Sequence, residues 1–328
     1  MGEIKRRFGV TAPLPGHLHA QKDRLHQLAD AGYTDLWSAE SDGTDGFTPL
    51  ALAAAWEPRL RLGTAIIPAY TRGPACMAQS VASMADAAPG RFAIGLGSSS
   101  NVIIERWNDI PFVEPYKKTR DMVRFLKDAL TGEKVVKDYD TFKVNGFRLG
   151  VKPEVKPEIL VAGLREGMLK MAGRESDGAI INWLSPEDVP QVVRAVLDGS
   201  GGAPREIVAR LFVCPSENTD VVREAAKFAI AAYLNVEVYA KFHEWLGRGP
   251  KLQGMWDAWK AGDRKAALAA IPDSVVDELV VHGSLAQCRE TIDRYYANGV
   301  TTTSLTLLPF DPAMNYWDSI LGLSPAAG

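Results

Sequence analysis

Short apolar segments alternate with helix-patterned segments along nearly the whole chain. The predicted strands, nearly all followed by a helix, are Arg7–Ala12, Thr34–Ala39, Leu60–Ile66, Arg91–Leu96, Glu158–Ala162, Gly178–Ile181, Ile207–Cys214 and Thr301–Leu307. Strands that alternate with helices form parallel sheets, and about eight such units close into a barrel. The sequence therefore predicts an α/β fold, a (β/α)8 TIM barrel.

Two segments interrupt this alternation. Between Thr131 and Pro157, the apolar pairs around Val135-Val136 and Phe142–Val144 predict a small hairpin. After the seventh strand, Asp220–Asp277 is rich in helical patterns, and its first part predicts one helix over Asp220–Leu246. We expect both insertions to elaborate the barrel near its mouth, so that residues 1–328 form a single domain.

Composition excludes several classes of protein. The chain has 37 Lys+Arg against 40 Asp+Glu, a net charge of −3, which gives no electrostatic reason to expect nucleic acid or an anionic membrane as partner. Its longest apolar runs, Leu50–Trp56 and Phe228–Leu234, are far shorter than the roughly 18 residues of a membrane span. Cys76, Cys214 and Cys288 are too scattered for a disulfide scaffold or zinc knuckle. With no visible secretory signal, we expect a cytoplasmic enzyme with a small-molecule substrate.

The ends of the strands are the places to search for catalytic residues, because TIM-barrel sites lie at the carboxyl ends of the strands. Glu40 and Ser41 directly follow the second predicted strand. A carboxylate there can accept a hydrogen bond from a cofactor ring or move a proton. Glu40 can equally cap the loop Ser41–Gly46, and the residues alone leave both interpretations open.

A metal site is not expected. His17 and His19 are spaced like the paired ligands that open amidohydrolase barrels, but no histidine occurs between His26 and His243 to complete such a site. No Cys-His or Ser-His-Asp arrangement stands out either. The chemistry would therefore come from a cofactor.

Two loops at the predicted mouth favour an anionic ligand. In Gly95–Asn101, which includes Leu96, Gly97 and Ser98, glycines let the backbone approach a ligand and hydroxyls can donate to anionic oxygens. In Ala162–Arg165, the strand ends at Gly163 and a helix begins near Leu164, so free amides and a positive helix end face the mouth. Arg165 can add a forked phosphate contact. Each loop alone is also compatible with an ordinary turn, but together they predict a phosphorylated ligand.

The chain also resembles a known family. The matching segments are Leu62–Pro68, Thr71–Pro74 with Ala78-Gln79, Gly90–Gly97, Asp177–Pro186 and His282–Ser284. In this order they resemble the luciferase-like monooxygenase superfamily, and within it the branch that uses coenzyme F420, a deazaflavin. The resemblance extends from about Phe8 to Leu308, and the helical insertion is its least distinctive part.

This resemblance implies a cofactor across the barrel mouth, with its ring over the end of the third strand. It also implies a non-proline cis peptide at Ala65–Ile66 behind the ring. The cofactor contacts implied are Glu40, Ala65, Ile66, Leu96, Gly97, Ser98, Asn101, Ala162, Gly163 and Leu164. Ser41 stands where several sugar-phosphate-oxidising relatives carry a catalytic histidine, which argues against their substrate. Other candidates for the substrate pocket are Glu105, Trp107, Asn182 and Trp183, for which a solvated loop or mere packing is the alternative.

The leading hypothesis is a coenzyme F420-dependent oxidoreductase that moves a hydride between the deazaflavin C5 and an organic substrate, with Glu40 as the residue for ring contact or proton handling. One alternative keeps the fold but uses reduced FMN and oxygen, as a monooxygenase. Another is a non-catalytic F420- or flavin-binding protein, motivated by Ser41 and the lack of an obvious acid–base pair. The resemblance also suggests a homodimer.

Overall fold

Parallel strands close into a barrel in the computed structural model, which describes residues 6–327. The strands are β1 (Arg7–Thr11), β2 (Asp35–Ser38), β3 (Arg61–Thr64), β4 (Ile67–Pro68), β5 (Phe92–Gly97), β6 (Val135–Asp138), β7 (Lys143–Phe147), β8 (Glu158–Ala162), β9 (Gly178–Asn182), β10 (Glu206–Pro215), β11 (Val281–Gly283) and β12 (Thr302–Leu307). The barrel runs β1-β2-β3-β5-β8-β9-β10-β12, and β12 pairs back with β1. The expected TIM barrel is confirmed. Residues 1–5 and 328, the ends of the predicted domain, lie outside the described residues.

Helices surround this barrel. They are α1 (Lys22–Asp30), α2 (Thr48–Trp56), α3 (Pro74–Ala87), α4 (Pro115–Ala129), α5 (Glu166–Glu175), α6 (Val189–Ser200), α7 (Thr219–Leu234), α8 (Glu237–Trp245), α9 (Gly249–Lys260), α10 (Arg264–Ala269), α11 (Asp273–Leu279), α12 (Leu285–Ala297) and α13 (Tyr316–Gly322). Within residues 6–327, none of them has the length and apolar character needed to cross a bilayer. The short helix α13 was not predicted; the Tyr33 hydroxyl donates to its Ile320 carbonyl at 2.5 Å.

The helical insertion after β10 consists of several short helices, α7 to α11. The single helix predicted over Asp220–Leu246 is wrong, because the chain leaves helical geometry between α7 and α8. The side-chain amide of Asn235 donates to the carbonyls of Ala231 and Ala232 at 2.6 and 2.9 Å, and Val236 is extended. These bonds satisfy carbonyls at the end of α7, so that helix stops there.

The hairpin β6–β7 is present; its two ends start at the end of the barrel opposite the mouth, and its turn reaches back to the first turns of α4, where Lys118 lies over the Phe142 ring. It joins the end of α4 to the start of β8, and in a parallel barrel that connection is made at the end opposite the mouth. From there it packs along α4. The rings of Tyr139 and Phe142 meet Phe125 edge-on, and the Tyr139 hydroxyl donates to Asp128 at 2.6 Å.

The lower end of the barrel is closed by one arginine. Arg61, whose side chain is 6% exposed, donates to Asp35 at 3.1 Å and to both carboxylate oxygens of Glu206 at 2.8 Å, and it also bonds Glu158. The Thr302 hydroxyl donates to Glu206 at 2.6 Å. Because these carboxylates surround the guanidinium, the pKa of Arg61 is raised despite its burial.

One layer higher, Trp37 fills the interior. Its side chain is fully buried. A Cβ atom added to Gly63 would lie 2.3 Å from the indole ring, and one added to Gly9 would lie 2.8 Å from it. The two glycines therefore make the room that the indole occupies. Inside the barrel formed by residues 6–327, space for a ligand is left above this layer, at the carboxyl ends of the strands.

Replacing Arg61 tests the closure at the lower end. Arg61→Met leaves Asp35 and Glu206 buried without their cation, and we expect the free energy of unfolding to fall by about 3–5 kcal/mol. Urea denaturation at neutral pH measures it. The matched control is Arg294→Met, which removes a surface pair with Glu187 and should cost less than about 1 kcal/mol. Equal losses in the two variants would contradict the account.

Candidate active site at the barrel mouth

Three of the predicted cofactor residues converge on one rim of the mouth. Gly97 ends β5 with no side chain, and a Cβ atom there would lie 3.1 Å from the Ile66 side chain and 3.2 Å from the Cβ of Ala162. Three neighbouring barrel segments thus approach each other across a position without side-chain atoms. We call Ile66, Gly97 and Ala162 the ring rim: Gly97 is buried, and its missing side chain lets the half-buried Ile66 and Ala162 pack together into an apolar surface that fits a flat ring.

The peptide bond between Ala65 and Ile66 is cis, as the resemblance implied. Here β3 breaks and the chain resumes as β4. The Ala65 amide donates to the Ser38 carbonyl at 2.6 Å, and the Glu40 amide donates to the Ile66 carbonyl at 3.1 Å. These bonds join the end of β2 to the break in β3, and they bring the backbone of Glu40 beside Ile66.

Glu40 is held by an arginine that was not among the candidate site residues. Arg72 donates through its two terminal nitrogens to the two carboxylate oxygens of Glu40, at 2.7 and 2.6 Å. The Gly46 amide also donates to Glu40, at 3.1 Å, so the predicted role of capping the following loop is observed. Hydrogen bonding to Glu40 raises the pKa of Arg72. A forked pair of this kind fixes the carboxylate in one orientation.

The loop after β5 leaves the rim and turns outward. Ser98 and Asn101 lie in it, and Ser99 adopts a left-handed backbone with φ of 61°. It leads into a single π-helical turn, Val102–Trp107. Trp107 is 54% exposed, and Glu105 is exposed and accepts a bond from the Phe112 amide at 3.3 Å. Both therefore match the alternative of a solvated loop, and their role in a substrate pocket stays a prediction.

The loop after β8 has the predicted strand-to-helix geometry. The Gly163 amide donates to the Ile180 carbonyl at 3.1 Å, Leu164 is half-buried, and α5 begins at Glu166 with Arg165 extended before it. The Arg165 side chain is exposed. Together with Lys241, the stronger influence, its charge lowers the pKa of Glu237 at the start of α8.

Asn182 and Trp183, at the end of β9, have different surroundings. The Asn182 side-chain amide donates to the Tyr239 hydroxyl at 3.3 Å. Trp183 is 2% exposed, with its ring stacked on Phe212 at 4.1 Å and tilted against Tyr233 at 5.0 Å. Trp183 is therefore part of the packing under the helical insertion. It does not form the open wall of a substrate pocket for which it was a candidate. Contact of Asn182 with a ligand stays a prediction.

A cavity of about 400 Å³ lies at the mouth beside the ends of β1, β2, β10 and β12. Ser41 lines it and donates to Asp42 at 2.8 Å. Arg210 and Thr306 line it as well, although neither was among the predicted site residues. The sequence could have indicated Arg210 as a site residue, because it is the one charged residue in the predicted strand Ile207–Cys214. Within residues 6–327, no three potential metal ligands come together, and the His17 and His19 rings stack on each other at 5.6 Å.

Comparison with known proteins identifies the family. A family model for luciferase-like monooxygenases matches residues 5–302. The chain belongs to the luciferase-like monooxygenase family. This membership confirms the predicted resemblance, and with it the expectation of an oxidoreductase enzyme on a TIM barrel.

Similar proteins use two kinds of cofactor. The 5,10-methylenetetrahydromethanopterin reductase of Methanolobus tindarius is 26% identical over 277 residues, which cover 82% of this chain and 84% of the relative. The structure of the coenzyme F420-dependent tetrahydromethanopterin reductase from Methanopyrus kandleri superposes with a TM-score of 0.78 at 20% identity, covering 98% of both chains. A type II Baeyer–Villiger monooxygenase of Pseudomonas putida, solved in complex with FMN, has a TM-score of 0.69 at 13% identity and covers 98% of this chain and 97% of its own.

Proposed function

We propose that this protein is a coenzyme F420-dependent oxidoreductase that acts on a small organic substrate. The observation that carries the proposal is the ring rim, where the missing side chain of Gly97 lets Ile66 and Ala162 pack together as one apolar surface. The similarity to the coenzyme F420-dependent reductase from Methanopyrus kandleri supports F420 as the cofactor. When bound, this deazaflavin supplies or accepts a hydride at C5.

Different segments of the chain are suited to hold the ring and the phosphate of this cofactor. The ring rim offers a flat apolar surface, and Trp37 fills the barrel beneath it. The loop after β8 offers backbone amides and the positive end of α5 to a phosphate, with the exposed guanidinium of Arg165 beside it. Ser98 and Asn101 offer further donors from the loop after β5. The residues present therefore fit a large planar ring with a phosphate-bearing tail.

Glu40 is suited to contact the ring or to handle a proton. Its backbone amide is bonded to Ile66 of the ring rim, and Arg72 fixes its carboxylate. A carboxylate held in this way can accept a hydrogen bond or a proton from a bound group. We assign it the role of acceptor or base in the reaction.

The second candidate is a monooxygenase that uses reduced FMN and oxygen. The likeness to an FMN-bound structure favours it, and the ring rim and the loop after β8 suit either cofactor. A non-catalytic cofactor-binding protein is the third candidate. A homodimer and a cytoplasmic location also remain part of the proposal, as the sequence suggested.

Cofactor titration decides between these candidates. We expect the purified protein to bind F420 with a dissociation constant on the order of micromolar, and FMN much more weakly, as measured by the change in cofactor fluorescence. Gly97→Val fills the ring rim and should weaken F420 binding by about tenfold or more. Gly150→Val, at an open loop position, is the matched control. Micromolar binding of FMN with none of F420 would contradict the proposal.

Replacing Glu40 tests its role in the reaction. With F420H2 and a panel of enones, Glu40→Gln should lower kcat by about 100-fold or more while F420 affinity stays close to that of the wild type, because only the acid–base function is lost. Arg72→Lys is the companion variant, since it keeps the charge beside Glu40 and should retain most turnover. Full activity in Glu40→Gln would overturn the assignment, and F420 binding without turnover in the wild type would favour the non-catalytic protein.

A further inference from the structure

Arg210 projects into the barrel on the side opposite the ring rim. Alternate residues of β10 face inward, and Val208, two residues earlier, packs in the interior with Trp37 and Ile180. Arg210 therefore lies one layer nearer the mouth. Its register partners are Asn182 on β9 and Ser304 on β12, and it lines the 400 Å³ cavity.

Neutral hydroxyls, not carboxylates, surround this guanidinium. Arg210 donates through Nε to the Thr306 hydroxyl at 3.0 Å. Thr306 is bonded to the Thr11 hydroxyl at 2.8 Å, and Thr11 to the Ser304 hydroxyl at 2.9 Å. The Phe212 ring, two residues further along β10 toward the mouth, has its centroid 5.3 Å from the guanidinium carbon. Within residues 6–327, Arg210 has no ion pair, its titratable neighbours are the phenols of Tyr233 and Tyr239, and its two terminal nitrogens make no hydrogen bond.

Arg210 differs in its charged surroundings from Arg61, the other arginine that faces into the barrel. Carboxylates raise the pKa of Arg61, whereas burial lowers the pKa of Arg210, because none of them compensates its charge. A desolvated cation without an anion destabilises a fold. The uncompensated cation lies at the mouth, on the wall of a cavity large enough for a small organic molecule. The missing anion is therefore expected from a ligand.

The charge of the site selects the kind of anion. Arg210 is the one cation among the described residues that line the cavity, and the carboxylate of Asp42 lies on its wall. One positive charge beside neutral hydroxyls matches a single negative charge, and Asp42 disfavours a second one. A carboxylate fits this balance better than a phosphate dianion does, and its two oxygens match the two free nitrogens of the guanidinium.

We propose that the cavity binds the carboxylate of a small organic-acid substrate, with Arg210 as the forked partner and Thr306 and Thr11 as the hydroxyls beside it. This inference rests on the proposed function, because the rest of the substrate would extend toward the ring rim. Arg210 is then the residue that selects acids over their neutral analogues.

The test is a ligand-observed NMR titration of the full-length protein with butyrate, butyramide and inorganic phosphate. Butyrate should bind more tightly than butyramide and phosphate. Arg210→Met should weaken butyrate by about tenfold or more without affecting butyramide, and Arg210→Lys should restore part of the affinity. The matched control is Arg194→Met, an exposed arginine on α6, which should leave all three titrations unchanged. Melting temperatures of the variants show that each is folded.

Equal butyrate affinity in Arg210→Met and wild type, or no preference of the wild type for butyrate over butyramide, overturns the proposal. Tighter binding of phosphate than of butyrate also overturns it. The same proteins are titrated with F420. Weaker F420 binding by Arg210→Met would assign the arginine to the cofactor and overturn the inference. If the wild type binds butyrate as expected but does not bind F420, the proposed function is refuted and the carboxylate site stands.

Discussion

The ion-pair network around Arg61 is the interaction on which the rest of the barrel depends. It ties β3 to β2, β8 and β10 through carboxylates from three different strands, at the end opposite the mouth. Removing one member would leave buried charges uncompensated, so the network favours one arrangement of these strands. With Trp37 packed above it, the lower barrel is filled. The chemistry is consequently confined to the carboxyl ends of the strands.

At that end the mouth has two halves with different chemistry. The ring rim is small and apolar, and it is formed by the break after β3 together with the ends of β5 and β8. The opposite half carries hydroxyls and the cation of Arg210, on β1, β12 and β10. Glu40 lies beside the rim, with Arg72 holding its carboxylate. A cofactor ring on one half and a polar substrate on the other would place their reacting atoms between the two, as hydride transfer requires.

The strands were predictable because each is a short apolar run followed by a helical pattern, and this local information was sufficient to identify the barrel. The break between α7 and α8 was not predicted, because it depends on the Asn235 side chain bonding the carbonyls of the previous turn. The hairpin was found, but its position follows from its place between α4 and β8. Such connections require the fold to be known first.

The candidate site divides in the same way. Gly97, Ala162 and Ile66 come together because the ends of neighbouring strands are adjacent in any such barrel. The partner of Glu40 was missed, although Arg72 lay within a family-like segment, because a pair 32 residues apart is formed only by the tertiary structure. Trp183 was expected in the pocket, but the helical insertion buries it against Phe212. Arg210 was visible as a charge in an apolar strand, and only the structure shows that no carboxylate compensates it.

A crystal structure of the complex with coenzyme F420 tests the central claim most directly. The account predicts that the deazaflavin ring lies against Ile66, Gly97 and Ala162, with Arg210 beyond hydrogen-bonding distance of every cofactor atom. A ring bound elsewhere, or a cofactor whose anionic tail is held by Arg210, would contradict it.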